Sequence, residues 1–166
     1  IGAAVPGTPS PTRCPGPCAS RSGRARHAFV LRSTGVAHPV MFDDDDPFLA
    51  RVRELAAGFP GSAEKVSHGR PAFYTTKVFA YYGGSLRDGT DWVQHPQAIL
   101  VQAEQGDRLA LLEESRVFVP AYLGPSGWIG VDLDDTSDWA EVGELLDASF
   151  RLTAPRRHIE ALDAER

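Results

Sequence analysis

Long apolar runs are missing from this chain. None approaches the roughly 20 residues that a membrane-spanning helix requires, so no bilayer span is expected. With 42% hydrophobic and 23% charged residues the chain reads as soluble and globular. Cysteine is scarce. Its two cysteines, Cys14 and Cys18, form a C-P-G-P-C cluster near the start, and residues 41–166 have none. A C-x3-C pair without a second pair falls short of the four ligands of a structural zinc site. A remainder free of cysteine excludes a disulfide scaffold and fits a reducing cytoplasm, the expected compartment. Signatures of catalysis are missing too: there is no G-x-S-x-G elbow, no phosphate-cradling Walker loop and no H-E-x-x-H. No cofactor is expected, and the chain reads as a non-enzymatic domain.

Charge of one sign is missing from one region. Residues 1–40 carry five arginines and no acid, whereas residues 41–166 carry 12 basic and 22 acidic residues, a net of −10. The first forty residues are rich in Pro, Gly, Ser, Ala and Arg without a helical or strand period. That composition buries too little apolar surface to offset chain entropy, so a disordered basic tail is expected. Methionine occurs once, at Met41, where the composition changes. The expectation is that translation starts there and that residues 1–40 are upstream sequence. Residues 41–166 are then the folded domain.

A helix is predicted from Pro47. Asp46 is placed to cap it and Pro47 suits the first helical position. Phe48, Val52, Leu55 and Phe59 recur on one face, and Gly58 and Pro60-Gly61 stop it. The stretch EKVSHGRPAFYTTKVFAYY, residues 64–82, then reads as a strand, a sharp turn at His68-Gly69-Arg70-Pro71, and further extended runs through Phe73 and Val78-Phe79-Ala80. Gly83-Gly84, Asp88-Gly89 and His95-Pro96 predict a loop to about Gln97. Residues 98–103 form a strand, and Asp107 opens a short helix over 108–114. Val117-Phe118-Val119 is extended and ends at Pro120. In residues 127–133, Ile129, Val131 and Leu133 alternate with Trp128, Gly130 and Asp132, which predicts one buried face. Asp138, three residues before Glu141, has capping-box spacing for a helix carrying Trp139, Val142, Leu145, Leu146 and Phe150. A last helix follows Ala154-Pro155 with Ile159 and Leu162 inward. Strands succeed one another without helical crossovers, so the class is α+β with a mainly antiparallel sheet, its N- and C-terminal helices packed on one face.

The segments Phe59-Pro60-Gly61, Ser67-His68-Gly69-Arg70-Pro71-Ala72-Phe73, Lys77-Val78-Phe79-Ala80, Phe118-Val119-Pro120-Ala121-Tyr122, Gly127-Trp128-Ile129-Gly130-Val131, Ser149-Phe150 and Ala154-Pro155 resemble, in order and spacing, the MmcQ/YjbR family. The resemblance spans residues 48–162. It implies a fold similar to the frataxin-like (CyaY-like) fold and a DNA-binding role, for which a two-winged surface has been suggested. The 83–97 segment departs from the family, being longer and more acidic than the usual short hairpin.

Nucleic-acid binding needs cations near phosphates. The candidates are Arg70, Lys77, Arg151, Arg156 and Arg157, with Tyr122 to stack on a base. Arg156 and Arg157 sit near a helix start, where the dipole disfavours cations; a pair with Glu160 is the plainer reading. Tyr74, Tyr81, Tyr82 and Trp128 are further aromatic candidates, Trp128 equally a core residue. A net of −10 opposes DNA at long range. An acidic protein-interaction module is therefore an alternative. So is frataxin-like metal handling through Asp43–Asp46 and Glu54, against which the aspartates read more simply as charge at the start of a helix. His68, His95 and His158 lack ligand spacing and read as turn or surface residues. No metal or membrane partner is expected, and the chain is expected to be a monomer.

Overall fold

A computed structural model describes residues 38–165. The expectations for Cys14, Cys18 and the arginines before residue 38 lie outside the described residues. The turn His68-Gly69 organises the sheet. Both residues have positive φ, 54° and 79°, as a two-residue type I′ turn demands. It joins β1 (Ala63–Ser67) to β2 (Arg70–Tyr74) with Ser67 opposite Arg70. Gly69 is needed for space as well, since a Cβ there would lie 2.1 Å from the Pro39 carbonyl oxygen. Residues 38–41 rest on this turn: the Met41 amide donates to the Gly69 carbonyl at 2.8 Å, and the His38 ring lies 5.1 Å from that of His68. The chain is thus packed three residues before Met41, the expected boundary.

β3 (Val78–Asp88) and β4 (Asp91–Gln102) follow, then β5 (Val117–Phe118) and β6 (Trp128–Asp132). The six strands lie in the order β1-β2-β3-β4-β6-β5, every pair antiparallel. The predicted antiparallel α+β class is what the chain adopts. The expectation for residues 83–97 fails. The 83–97 loop is not a loop but the outer half of a long β3–β4 hairpin, closed by Gly89-Thr90 with Asp88 opposite Asp91. Gly83 and Pro96 sit where the register breaks, between Tyr82 and Gly84. A proline and a positive-φ glycine are tolerated there because the ladder is already interrupted.

α1 (Pro47–Ala57) begins as expected, the Asp46 carboxylate accepting from the Phe48 amide at 2.9 Å. Its deepest residues are Leu49, Val52 and Ala56, so the buried stripe is rotated from the predicted one. α2 (Gln105–Leu111) starts earlier than predicted and has no side-chain cap. α3 (Trp139–Thr153) is capped by Asp138, which accepts from the Ala140 amide at 2.9 Å. Glu141 does not close a capping box; its carboxylate pairs with Arg116 instead. α4 (Arg156–Ala164) follows Pro155 and buries Leu162.

One core cluster joins α1, α3 and α4 to Phe73, Phe79, Tyr82, Ile99, Val101, Ile129 and Val131 of the sheet. A second consists of Ala98, Leu100, Phe118 and Trp128, with Tyr81, Leu86 and Leu123 against it. Its sheet residues alternate with those of the first. The expectation of one buried face for residues 127–133 is therefore corrected: Trp128, Ile129, Gly130 and Val131 are all buried, because Phe118 of β5 and Leu123 beyond it pack on the second side. Gly130 makes this possible, a Cβ there falling 2.2 Å from the Phe118 ring.

Phe79 is the extra residue of a bulge between the pairs Tyr74–Val78 and Phe73–Ala80. Its carbonyl is taken up by the fully buried Ser149 hydroxyl of α3, which also accepts from the Gln102 amide of β4 at 2.9 Å. Ser149→Ala strands both groups and is expected to cost about 2–4 kcal/mol in urea denaturation.

Tyr82, fully buried, donates its hydroxyl to Asp46 Oδ2 at 2.8 Å, tying the sheet to the cap of α1. Burial, and then the Asp46 carboxylate, push its ionisation well above the usual tyrosine range. Above about pH 10 an unfolded tyrosine loses a proton that folded Tyr82 keeps. This stability is complete below that pH and is lost as pH rises. Denaturation midpoints should fall more steeply above pH ~10 in the wild type than in Tyr82→Phe; parallel pH profiles would refute this.

Candidate functional site: an arginine-bearing cavity under an aromatic rim

A cavity of about 370 Å³ lies between the β1–β2 turn, the inner ends of β3 and β4, and residues 120–123. Ser67, His68, Arg70, Tyr81, Gly83, Leu100 and Tyr122 are among its lining residues. Arg70 follows the type I′ turn directly. Its guanidinium donates from Nη2 to the Gly84 carbonyl at 3.2 Å and to Gln94 Oε1 at 2.8 Å. No carboxylate pairs with it among the described residues, and its buried Nη1 has no partner. Burial pulls the guanidinium below the usual arginine range. Gly83, at φ 74°, makes room, since a Cβ there would sit 2.2 Å from Nη1.

The two non-glycine residues with positive φ among the described residues, His68 at 54° and Tyr122 at 64°, both line this cavity. Such backbone costs of order 1–3 kcal/mol per residue and collects at functional sites. Tyr122 is 84% exposed and stacks on the 45%-exposed Trp92 of β4, ring centroids 5.6 Å apart. The cavity therefore offers an unneutralised cation, an apolar wall through Leu100 and Leu123, and an exposed aromatic face at its mouth.

The predicted residues divide. Arg70 and Tyr122 are brought together in the cavity, and Lys77, Arg151, Arg156 and Arg157 do not line it. Lys77 is exposed in the bend between β2 and β3. Arg151 is held by Asp147 at 2.8 Å and Asp163 at 2.7 Å, and Arg156 pairs with Glu160 at 2.8 Å, the plainer reading. Arg157 Nε lies 3.1 Å from the His158 ring. Trp128 is a core residue, its ring 5.5 Å from that of Tyr81. Three of the five carboxylates considered for metal have separate tasks: Asp43 turns back on the Asp45 amide, Asp44 pairs with Arg53, and Asp46 caps α1. Among the described residues no three potential ligands gather. His95 is neither lone nor superficial: its Nδ1 lies 2.8 Å from Asp132 and its ring stacks 3.9 Å from Phe118. Sequence reasoning missed Trp92, because it sits in the segment read as a loop.

The family model for YjbR matches residues 57–152. The chain belongs to the YjbR family. The matched span of this YjbR domain runs from the end of α1 to the last turn of α3 and contains every residue named above as lining the cavity. The structure is also similar to the crystal structure of Deinococcus radiodurans protein DR2400, which has a DUF419 domain. Identity is 21%, 69% of this chain and 87% of that chain are covered, and the TM-score is 0.48. A comparison with curated proteins gave no match. Among the described residues of this YjbR chain no helix is long and apolar enough to cross a membrane.

Proposed function

We propose that this is a non-enzymatic binding domain for single-stranded nucleic acid, with one phosphate held at Arg70 and one base laid on Tyr122 and Trp92. The observation that carries the reading is Arg70, a half-buried cation that has only neutral partners and one unused donor among the described residues. A buried charge is expensive without an opposite charge, and a phosphate supplies both the charge and the acceptor atoms. The exposed aromatic pair beside it supports an unstacked base, since base–aromatic stacking contributes about 1–3 kcal/mol and tolerates any base. A duplex keeps its bases stacked and presents dense negative charge to a domain with a net of −10 over residues 41–166.

The test is fluorescence anisotropy of a labelled deoxythymidine decamer against a duplex of equal length, at low and moderate salt. The decamer is expected to bind more tightly than the duplex. Its affinity should fall only shallowly with salt, at roughly −0.7 in log–log slope per phosphate held. Absence of decamer binding at low salt would defeat the reading.

A further inference from the structure

Seven of the nine described arginines have no buried nitrogen left without a partner. Arg53, Arg116, Arg151 and Arg156 pair with carboxylates. Arg51 lies over the Trp139 ring, Arg87 donates to the Gly89 carbonyl, and Arg157 contacts His158. The other two are Arg70 and Arg108. Among the described residues Arg108, in α2, reaches only the Gly124 carbonyl, at 3.4 Å from Nη2, and its buried Nε has no partner. It lines a second cavity, of about 510 Å³, together with Ala103, Gln105, Val119, Gly124, Pro125 and Gly127.

The two cavities share one loop. Pro120, Ala121, Tyr122 and Leu123 line the first, while Val119, Gly124 and Pro125 line the second. The loop is closed on itself, the Gly124 amide donating to the Pro120 carbonyl at 2.9 Å. Residues 119–125 thus wall both cavities, and the exposed Tyr122 belongs to this shared segment.

We propose that Arg108 holds a second phosphate of the same strand, so that residues 119–124 form a saddle crossed at Tyr122. This rests on the single-strand reading above and extends it: Arg70 takes the phosphate on one side, Tyr122 the base, and Arg108 the phosphate on the other. No bond is made or broken.

The experiment compares wild type, Arg108→Gln, Arg108→Lys and Arg70→Gln with two probes, thymidine monophosphate and the labelled deoxythymidine decamer. Arg108→Gln should bind the monophosphate as the wild type does, showing the fold and first cavity intact. It should bind the decamer about tenfold more weakly, its salt slope reduced by roughly 0.7. Arg108→Lys should restore slope and most of the affinity, since the phosphate responds to charge. Arg70→Gln should lose both probes. An Arg108→Gln decamer slope equal to wild type overturns the second subsite while leaving the first reading standing. A loss that lysine does not restore also overturns it, because Arg108 then only props the loop through Gly124. A wild type that ignores the decamer overturns the parent reading instead.

Discussion

Phe150→Ala is expected to lower stability by about 3–5 kcal/mol. Phe150 is fully buried at the last full turn of α3, its ring 4.9 Å from Phe59 in a stacked arrangement and 5.5 Å from Phe79 edge-on. Truncation removes the transfer free energy of the ring and leaves a cavity that the neighbouring rings cannot close, because each is fixed elsewhere: Phe79 by its bulged strand and Phe59 by the tight Pro60-Gly61 turn. A domain of this size has about 5–15 kcal/mol in total, so the variant stands near the folding threshold. Urea denaturation measures it: the midpoint should drop sharply with the slope unchanged. Leu109→Ala is the control, since Leu109 is 63% exposed on α2, and should shift stability by less than about 0.5 kcal/mol. Equal effects at the two positions would refute the packing argument.

Arg70→Met should act in the opposite sense, harming binding and sparing the fold. The guanidinium is desolvated without a counter-charge, and replacing such a cation by an apolar chain of similar length relieves that penalty. The losses are hydrogen bonds to the Gly84 carbonyl and to Gln94, of about 1 kcal/mol each. The terms nearly cancel, and the denaturation midpoint should stay within about 1 kcal/mol of wild type. Decamer affinity should fall at least tenfold, the worth of one charge-assisted phosphate contact at about 1.5–3 kcal/mol. A variant that binds normally would remove Arg70 from the site. One that unfolds would make Arg70 a structural residue.

Much of the fold was legible because local signals and tertiary structure agree. Asp46-Pro47 and Asp138 start helices wherever the chain goes next, since an unpaired helix N-terminus needs such a cap. His68-Gly69 turns because few other pairs accept two positive φ angles in succession. The apolar rhythm of Val142, Leu146 and Phe150 leaves one way to bury α3. The 83–97 segment was illegible for a physical reason. Seven of the first seven residues of β4 are exposed or half-buried, so no apolar period marks it, and Pro96 and Gly83 imitate loop punctuation. Only backbone pairing makes it a hairpin, and that pairing is set by β3 across from it.

The candidate site divides along the same line. Arg70 and Tyr122 stand out in the sequence, but the net charge around them reveals nothing about which arginines are neutralised. Arg151 and Arg156 are equally basic as letters, yet carboxylates on α3 and α4 satisfy them, whereas among the described residues Arg70 and Arg108 meet only neutral oxygens. By itself the sequence determined the antiparallel α+β class, the Asp46 and Asp138 caps, the β1–β2 turn and the family kinship, all of which follow from contacts between near neighbours or from motif order. Only the tertiary structure decided which cations keep an unspent charge and which aromatics face water. Those properties depend on partners brought from distant positions, 14 residues away for Arg70 and Gly84 and 16 for Arg108 and Gly124.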